Sequence, residues 1–70
     1  MDYGYLIGKK IKEYRELKGW RQEDLAEKAG LSTKYIGYIE RGIKIPKLKT
    51  FILLANTLGV SANDLLKDVL

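Results

Sequence analysis

The side chains best placed to do chemistry in this 70-residue chain lie in LSTKYIGYIERG, residues 31–42. Thr33, Lys34, Gly37 and Tyr38 recur at i, i+1, i+4 and i+5, a spacing that brings them to one face of a helix. Ile36 and Ile39 fall on the other. An ammonium group and two hydroxyls on one face can donate and accept hydrogen bonds, but they do not break covalent bonds. The chain has no cysteine and no histidine. That removes thiolate and imidazole metal sites, Cys or His nucleophiles and the usual base at neutral pH. Beyond ordinary Asp, Glu and Lys on helix faces, no constellation suggests a reaction. The expectation is a binding protein, not an enzyme, with no metal and no cofactor.

Seventy residues make one domain at most, spanning 1–70. A chain this short buries only roughly 60% of its unfolded surface, so its core must be efficient. Hydrophobic residues make up 46% and charged residues 31%, a balance that fits a soluble globular domain. The net charge is +4 and the pI about 9.4. A basic balance points to nucleic acid, acidic membrane or acidic protein as partner classes. The N-terminus, MDYGYLIGKK, lacks the basic start and apolar run of a signal peptide. The longest apolar run, Phe51 to Ala55, is far too short to cross a bilayer. The cytoplasm is the expected location, without a membrane partner.

The elements that must position the candidate face read as five short helices. Ile7, Ile11 and Tyr14, with Leu17 or Lys18 next, give an amphipathic helix over Tyr5 to Lys18. Gly19 ends it, and Trp20 reads as a core anchor in the connection. Gln22 to Ala29 forms a second helix, with Glu23 and Asp24 at its positive end and Gly30 after it. Ser32 caps a third, which runs to Glu40 or Arg41 before Gly42. Ile43 to Pro46 is extended. Lys47 to Leu58 forms a fourth helix, and Ser61 with Asp64 opens a fifth that carries Leu65, Leu66 and Val69. Nothing reads as a strand pair, and helices this short hold only by mutual packing.

Two short helices around a glycine-containing turn form a helix-turn-helix unit, here QEDLAEKAG-LS-TKYIGYIERG, about residues 22–41. At Gln22, Leu25, Ala26, Gly30, Leu31, Ser32, Ile36, Ile39, Glu40 and Gly42 the sequence resembles the Xre/Cro-type, lambda-repressor-like family of bacterial and phage repressors. The match continues through Pro46, Leu48, Leu54, Ala55, Leu58, Gly59, Val60 and Ser61. It covers about residues 7–66, with apolar, glycine and capping positions in one ungapped register. The resemblance implies an all-α fold of five helices with a central helix-turn-helix. It also implies a transcriptional regulator, in the first instance a repressor, that binds double-stranded DNA.

In that frame the third helix would enter the major groove, which admits one helix. Thr33, Lys34, Gly37 and Tyr38 would meet base edges. The bland alternative is a solvated polar face. Tyr38 stands where the family often has Arg, Gln or Lys. Gly37 replaces the commoner Ser, which leaves two readings: close approach to DNA, or a tolerated defect costing up to ~1 kcal/mol of helix propensity. Arg21, Gln22, Ser32, Tyr35, Lys44 and Lys47 would contact phosphates. Arg21 takes the place of a capping Ser or Thr, and a nearby phosphate would relieve its positive charge at the helix start; otherwise it is a poorly capped surface residue. Tyr35 is alternatively a half-buried core residue. Arg15 and Glu40 sit at the margins of apolar faces, and the resemblance implies a structural ion pair between them.

One short helix reads few base pairs, so a weak homodimer reinforced by a palindromic operator is expected. Leu53, Leu66, Val69 and Leu70 would supply its interface, or Val69 and Leu70 would simply close the core. The competing expectation is a module of the same fold that binds a protein partner, as an antitoxin does.

Overall fold

The computed structural model describes residues 2–69. Its helices are α1 (Tyr3–Leu17), α2 (Gln22–Ala29), α3 (Thr33–Glu40), α4 (Leu48–Leu58) and α5 (Ala62–Leu66), and the described residues contain no strand. No helix among them is long and apolar enough to cross a membrane.

Local chemistry sets the helix boundaries. Asp2 Oδ1 accepts a hydrogen bond from the Tyr5 backbone N–H at 2.9 Å. This cap starts α1 at Tyr3, two residues before the position that apolar spacing indicates. Ser32 Oγ accepts from Tyr35 N–H at 3.1 Å and starts α3. Ser61 and Asp64 exchange hydrogen bonds of 3.0 and 2.9 Å, the reciprocal box expected at the start of α5. α2 has half of such a box. The Asp24 carboxylate accepts from Arg21 N–H at 2.8 Å, but a guanidinium has no acceptor to return the bond.

Among the described residues, seven large apolar side chains are fully buried: Ile11, Leu25, Ile36, Ile39, Leu54, Leu58 and Leu65. Every helix contributes at least one, and each such burial is worth about 1.5–3 kcal/mol. The buried stripe of α1 runs through Ile7, Ile11 and Arg15 instead of ending on Leu17, which is exposed. α5 is shorter than expected. It ends at Leu66, and Asp68 takes a positive φ of 71° that turns the chain back. Val69 therefore returns to the core from outside the helix.

Close approach of α1 to the end of α3 depends on missing side chains. A Cβ on Gly8 would lie 2.0 Å from the Ile39 carbonyl oxygen, a separation no side chain survives. Gly42, just past α3, has φ of 76° and sits against the Tyr5 backbone, where an added Cβ would be 2.8 Å from Tyr5 Cα. Only glycine satisfies both constraints there. These contacts lock the C-terminal end of α3 against α1 and fix how α3 presents its outer face.

Candidate nucleic-acid interface

α3 is held from beneath. Ile36 and Ile39 are fully buried, as their spacing requires. At its C-terminal end Glu40 Oε2 accepts from Arg15 Nε at 2.7 Å, and Glu40 Oε1 accepts from Arg15 Nη2 at 3.0 Å. The third arm of the guanidinium donates to the Trp20 carbonyl at 2.7 Å. Gln22 Nε2 adds a bond to Glu40 Oε1 at 3.0 Å. The pair is buried, with side-chain exposures of 8% for Arg15 and 1% for Glu40. Its hydrogen bond to Glu40 raises the Arg15 pKa above an already high value. A buried, bidentate, fully bonded pair of this kind ties α1, the α1–α2 connection, α2 and α3 together.

The outer face carries Thr33 and Lys34, both exposed, and Tyr38, half-buried. Gly37 departs from the expected arrangement. It is buried, because the Gln22 amide and the Arg41 guanidinium lie over it. An added Cβ would meet Gln22 Oε1 at 3.6 Å and Arg41 Nη2 at 3.8 Å, which are ordinary contacts. Helical periodicity places Gly37 on the outward side, and two long neighbouring side chains then cover it.

Thr33 borders an open cleft whose other walls are Arg15, Arg21, Gln22 and Glu23. The fold thus sets the start of α2 beside the start of α3. Arg21 is exposed and pairs with Glu23 at 2.9 Å and Asp24 at 3.5 Å. These two carboxylates already relieve its charge against the helix dipole. Gln22 has its amide nitrogen committed to Glu40. Ser32 has its hydroxyl committed to capping, and Tyr35 is half-buried against the core. Past the C-terminal end of α3 Lys44 and Lys47 are exposed, Lys47 as the residue before α4.

Arg41 is absent from the sequence-level site, yet it joins this surface. Its Nε donates to the Gly37 carbonyl at 3.1 Å, and its Cζ lies 5.5 Å from the Tyr38 ring centroid. Its position, three residues after Tyr38, is a usable signal, since i and i+3 are neighbours on a helix. The pattern of apolar and glycine positions instead marks it only as the helix terminus.

The expected dimer surface changes in composition. Leu53 is exposed, but Leu66 is half-buried against the core and Val69 is a core residue at 6% exposure. The turn at Asp68 removes Val69 from any surface patch. Leu70 lies outside the described residues.

The arrangement is a two-helix unit with its second helix braced from below and ringed by cations, the class of helix-turn-helix DNA-binding transcriptional regulators of the Xre/Cro type. Residues 11–65 match the family described as Helix-turn-helix, and the chain belongs to it. It is 38% identical over 58 residues to YazB of Bacillus subtilis, an HTH-type transcriptional regulator, covering 83% of this chain and 84% of that one. It is 38% identical over 66 residues to the control protein C.SmaI of Serratia marcescens, covering 94% and 79%. The solved structure of SinR, the master regulator for biofilm formation, in complex with DNA superposes with a TM-score of 0.80 at 39% identity, covering 86% of this chain and 97% of that chain. The chain spans only 58% of full-length SinR of Bacillus subtilis.

Proposed function

We propose that this chain is a sequence-specific binder of double-stranded DNA that represses transcription, with α3 in the major groove. The observation that carries the reading is the outer face of α3. Thr33, Lys34 and Tyr38 stand clear of the core, Arg21 and Gln22 line the cleft beside Thr33, Lys44 reaches the Tyr38 ring, and Lys47 is exposed just before α4. Lys34 can donate to guanine O6 and N7, and Thr33 can bond a base edge or touch a thymine methyl. The flanking groups suit phosphates, which fix register without reading sequence. The second N–H of Gln22 Nε2, the start of α2 and the exposed Lys44 and Lys47 ammonium groups supply those contacts. The SinR complex supports the reading, because a chain of this fold occurs there with DNA.

The operator is palindromic and bound by two copies. Free dimers are weak, since the apolar surface available near α5 is small, and DNA aligns the subunits. If each subunit neutralises about four phosphates, a dimer neutralises about eight, and log K falls against log salt with a slope near −7. Lys44→Ala or Lys47→Ala lowers affinity for all duplexes alike. Either change also makes the slope shallower, by about 1 for each phosphate no longer neutralised. Titration of a labelled duplex at several salt concentrations measures both. Affinity independent of salt contradicts the reading.

A further inference from the structure

One ring gathers cations from three parts of the chain. Lys34, one turn earlier on α3, places Nζ 5.7 Å from the Tyr38 ring centroid. Arg41, just after α3, places Cζ at 5.5 Å. Lys44, from the following loop, places Nζ at 5.8 Å. All three fall within the ~6 Å over which an aromatic face attracts a cation. Like charges repel, so their convergence needs a cause. Carboxylates do not supply it: among the described residues none pairs with Lys34, Arg41 or Lys44 within 4.0 Å.

The backbone delivers the cations to the ring. After Gly42 the chain folds back, and the N–H groups of Ile43 and Lys44 donate to the carbonyl of Tyr38 itself, at 2.9 and 3.3 Å. Arg41 is pinned through Nε to the Gly37 carbonyl. The ring contacts each cation without consuming an N–H donor, so the donors other than Arg41 Nε stay available. Long basic side chains lose rotamer freedom when they bind, and holding them beforehand reduces that loss.

We propose that Tyr38 is a positioning residue whose ring pre-orders Lys34, Arg41 and Lys44 into one cationic array for the DNA surface. The inference rests on the DNA-binding reading and deepens it. Arg41 becomes a DNA-contacting residue, and Tyr38 acts through its ring face instead of its hydroxyl. Approaching phosphates relieve the repulsion among the three charges, so the array is matched to an anionic polymer.

The test compares Tyr38→Phe, which keeps the ring, with Tyr38→Leu and Tyr38→Gln, which lose it. Affinity is measured on a preferred duplex and on a scrambled one. Tyr38→Phe stays within about twofold of the parent chain on both. The two ringless variants weaken binding about tenfold on the scrambled duplex, the scale of one or two side chains losing their order, and at least as much on the preferred one, where Lys34 also reads a base. Without DNA, nuclear magnetic resonance reports the array directly. The terminal methylene protons of Lys34, Arg41 and Lys44 are shifted by the ring in the parent and in Tyr38→Phe, and lose that shift in Tyr38→Leu and Tyr38→Gln. A loss in Tyr38→Phe equal to that of the ringless variants assigns the effect to the hydroxyl and overturns the proposal. A loss confined to the preferred duplex overturns it in favour of base reading. Parent-level binding by both ringless variants overturns it alone, whereas a parent chain that binds no duplex overturns the DNA reading itself.

Discussion

Gly37 presents a choice between stability and function at a single residue. Its buried site has room for a methyl group, and alanine is favoured over glycine inside a helix by about 0.8–1 kcal/mol. Gly37→Ala therefore raises the melting temperature. If α3 approaches DNA closely at this point, the same change weakens DNA binding, and paired melting and binding measurements separate the two readings. Glycine kept only as a tolerated defect gives higher stability with unchanged affinity. The Arg15–Glu40 pair carries the opposite risk. Glu40→Gln leaves the Arg15 charge buried without its counter-charge, which costs about 3–5 kcal/mol. An unchanged melting temperature contradicts the structural role given to the pair. That each charge needs a partner is legible from its place at the margin of an apolar stripe, while the pairing of the two is implied by the family resemblance. The covering of Gly37 is not, since it depends on where the flexible side chains of Gln22 and Arg41 come to rest.

At the scale of elements, the helix starts depend on charged caps, and this gives stability a pH dependence of known sign. The Arg21 backbone N–H, and then the Arg21 charge, hold the Asp24 carboxyl below its ordinary pKa. The Ser61 backbone N–H, and then its side chain, do the same for Asp64. A carboxyl whose pKa is lower folded than unfolded stabilises the fold above its unfolded pKa. That stabilisation is lost as pH falls through the folded value. The melting temperature is thus expected to hold between about pH 7 and 5 and to fall below about pH 4, where aspartates protonate. Asp24→Asn with Asp64→Asn should flatten that fall, as thermal melts across the range can show. Helix order and type are readable because apolar spacing and glycine stops agree in one register. The ends are less so. Asp2 extends α1 through a cap that lies outside the apolar pattern, and the left-handed turn at Asp68 ends α5 by a backbone conformation that no pattern of side chains announces. Gly8 is likewise silent, because the close packing of α1 on α3 shows itself only once the partner helix is in place.

At the scale of the whole molecule, the described fold measures 29 × 22 × 21 Å. Two copies in contact side by side can present their α3 helices about 34 Å apart, one turn of DNA, without an intervening subunit. Of the described residues expected at such contact, Val69 belongs to the core and Leu66 is half-buried, which leaves Leu53 exposed. On the proposed reading DNA contributes much of the alignment, and symmetric half-sites are expected. Selection of duplexes from a random-sequence pool by the purified chain tests this most directly. The expected result is an enriched two-fold-symmetric motif with half-sites one helical turn apart, and loss of preference at particular base pairs in each half-site when the selection is repeated with Lys34→Ala. A pool that shows no enrichment, or a motif unaltered by Lys34→Ala, would contradict the account that α3 reads DNA through this face.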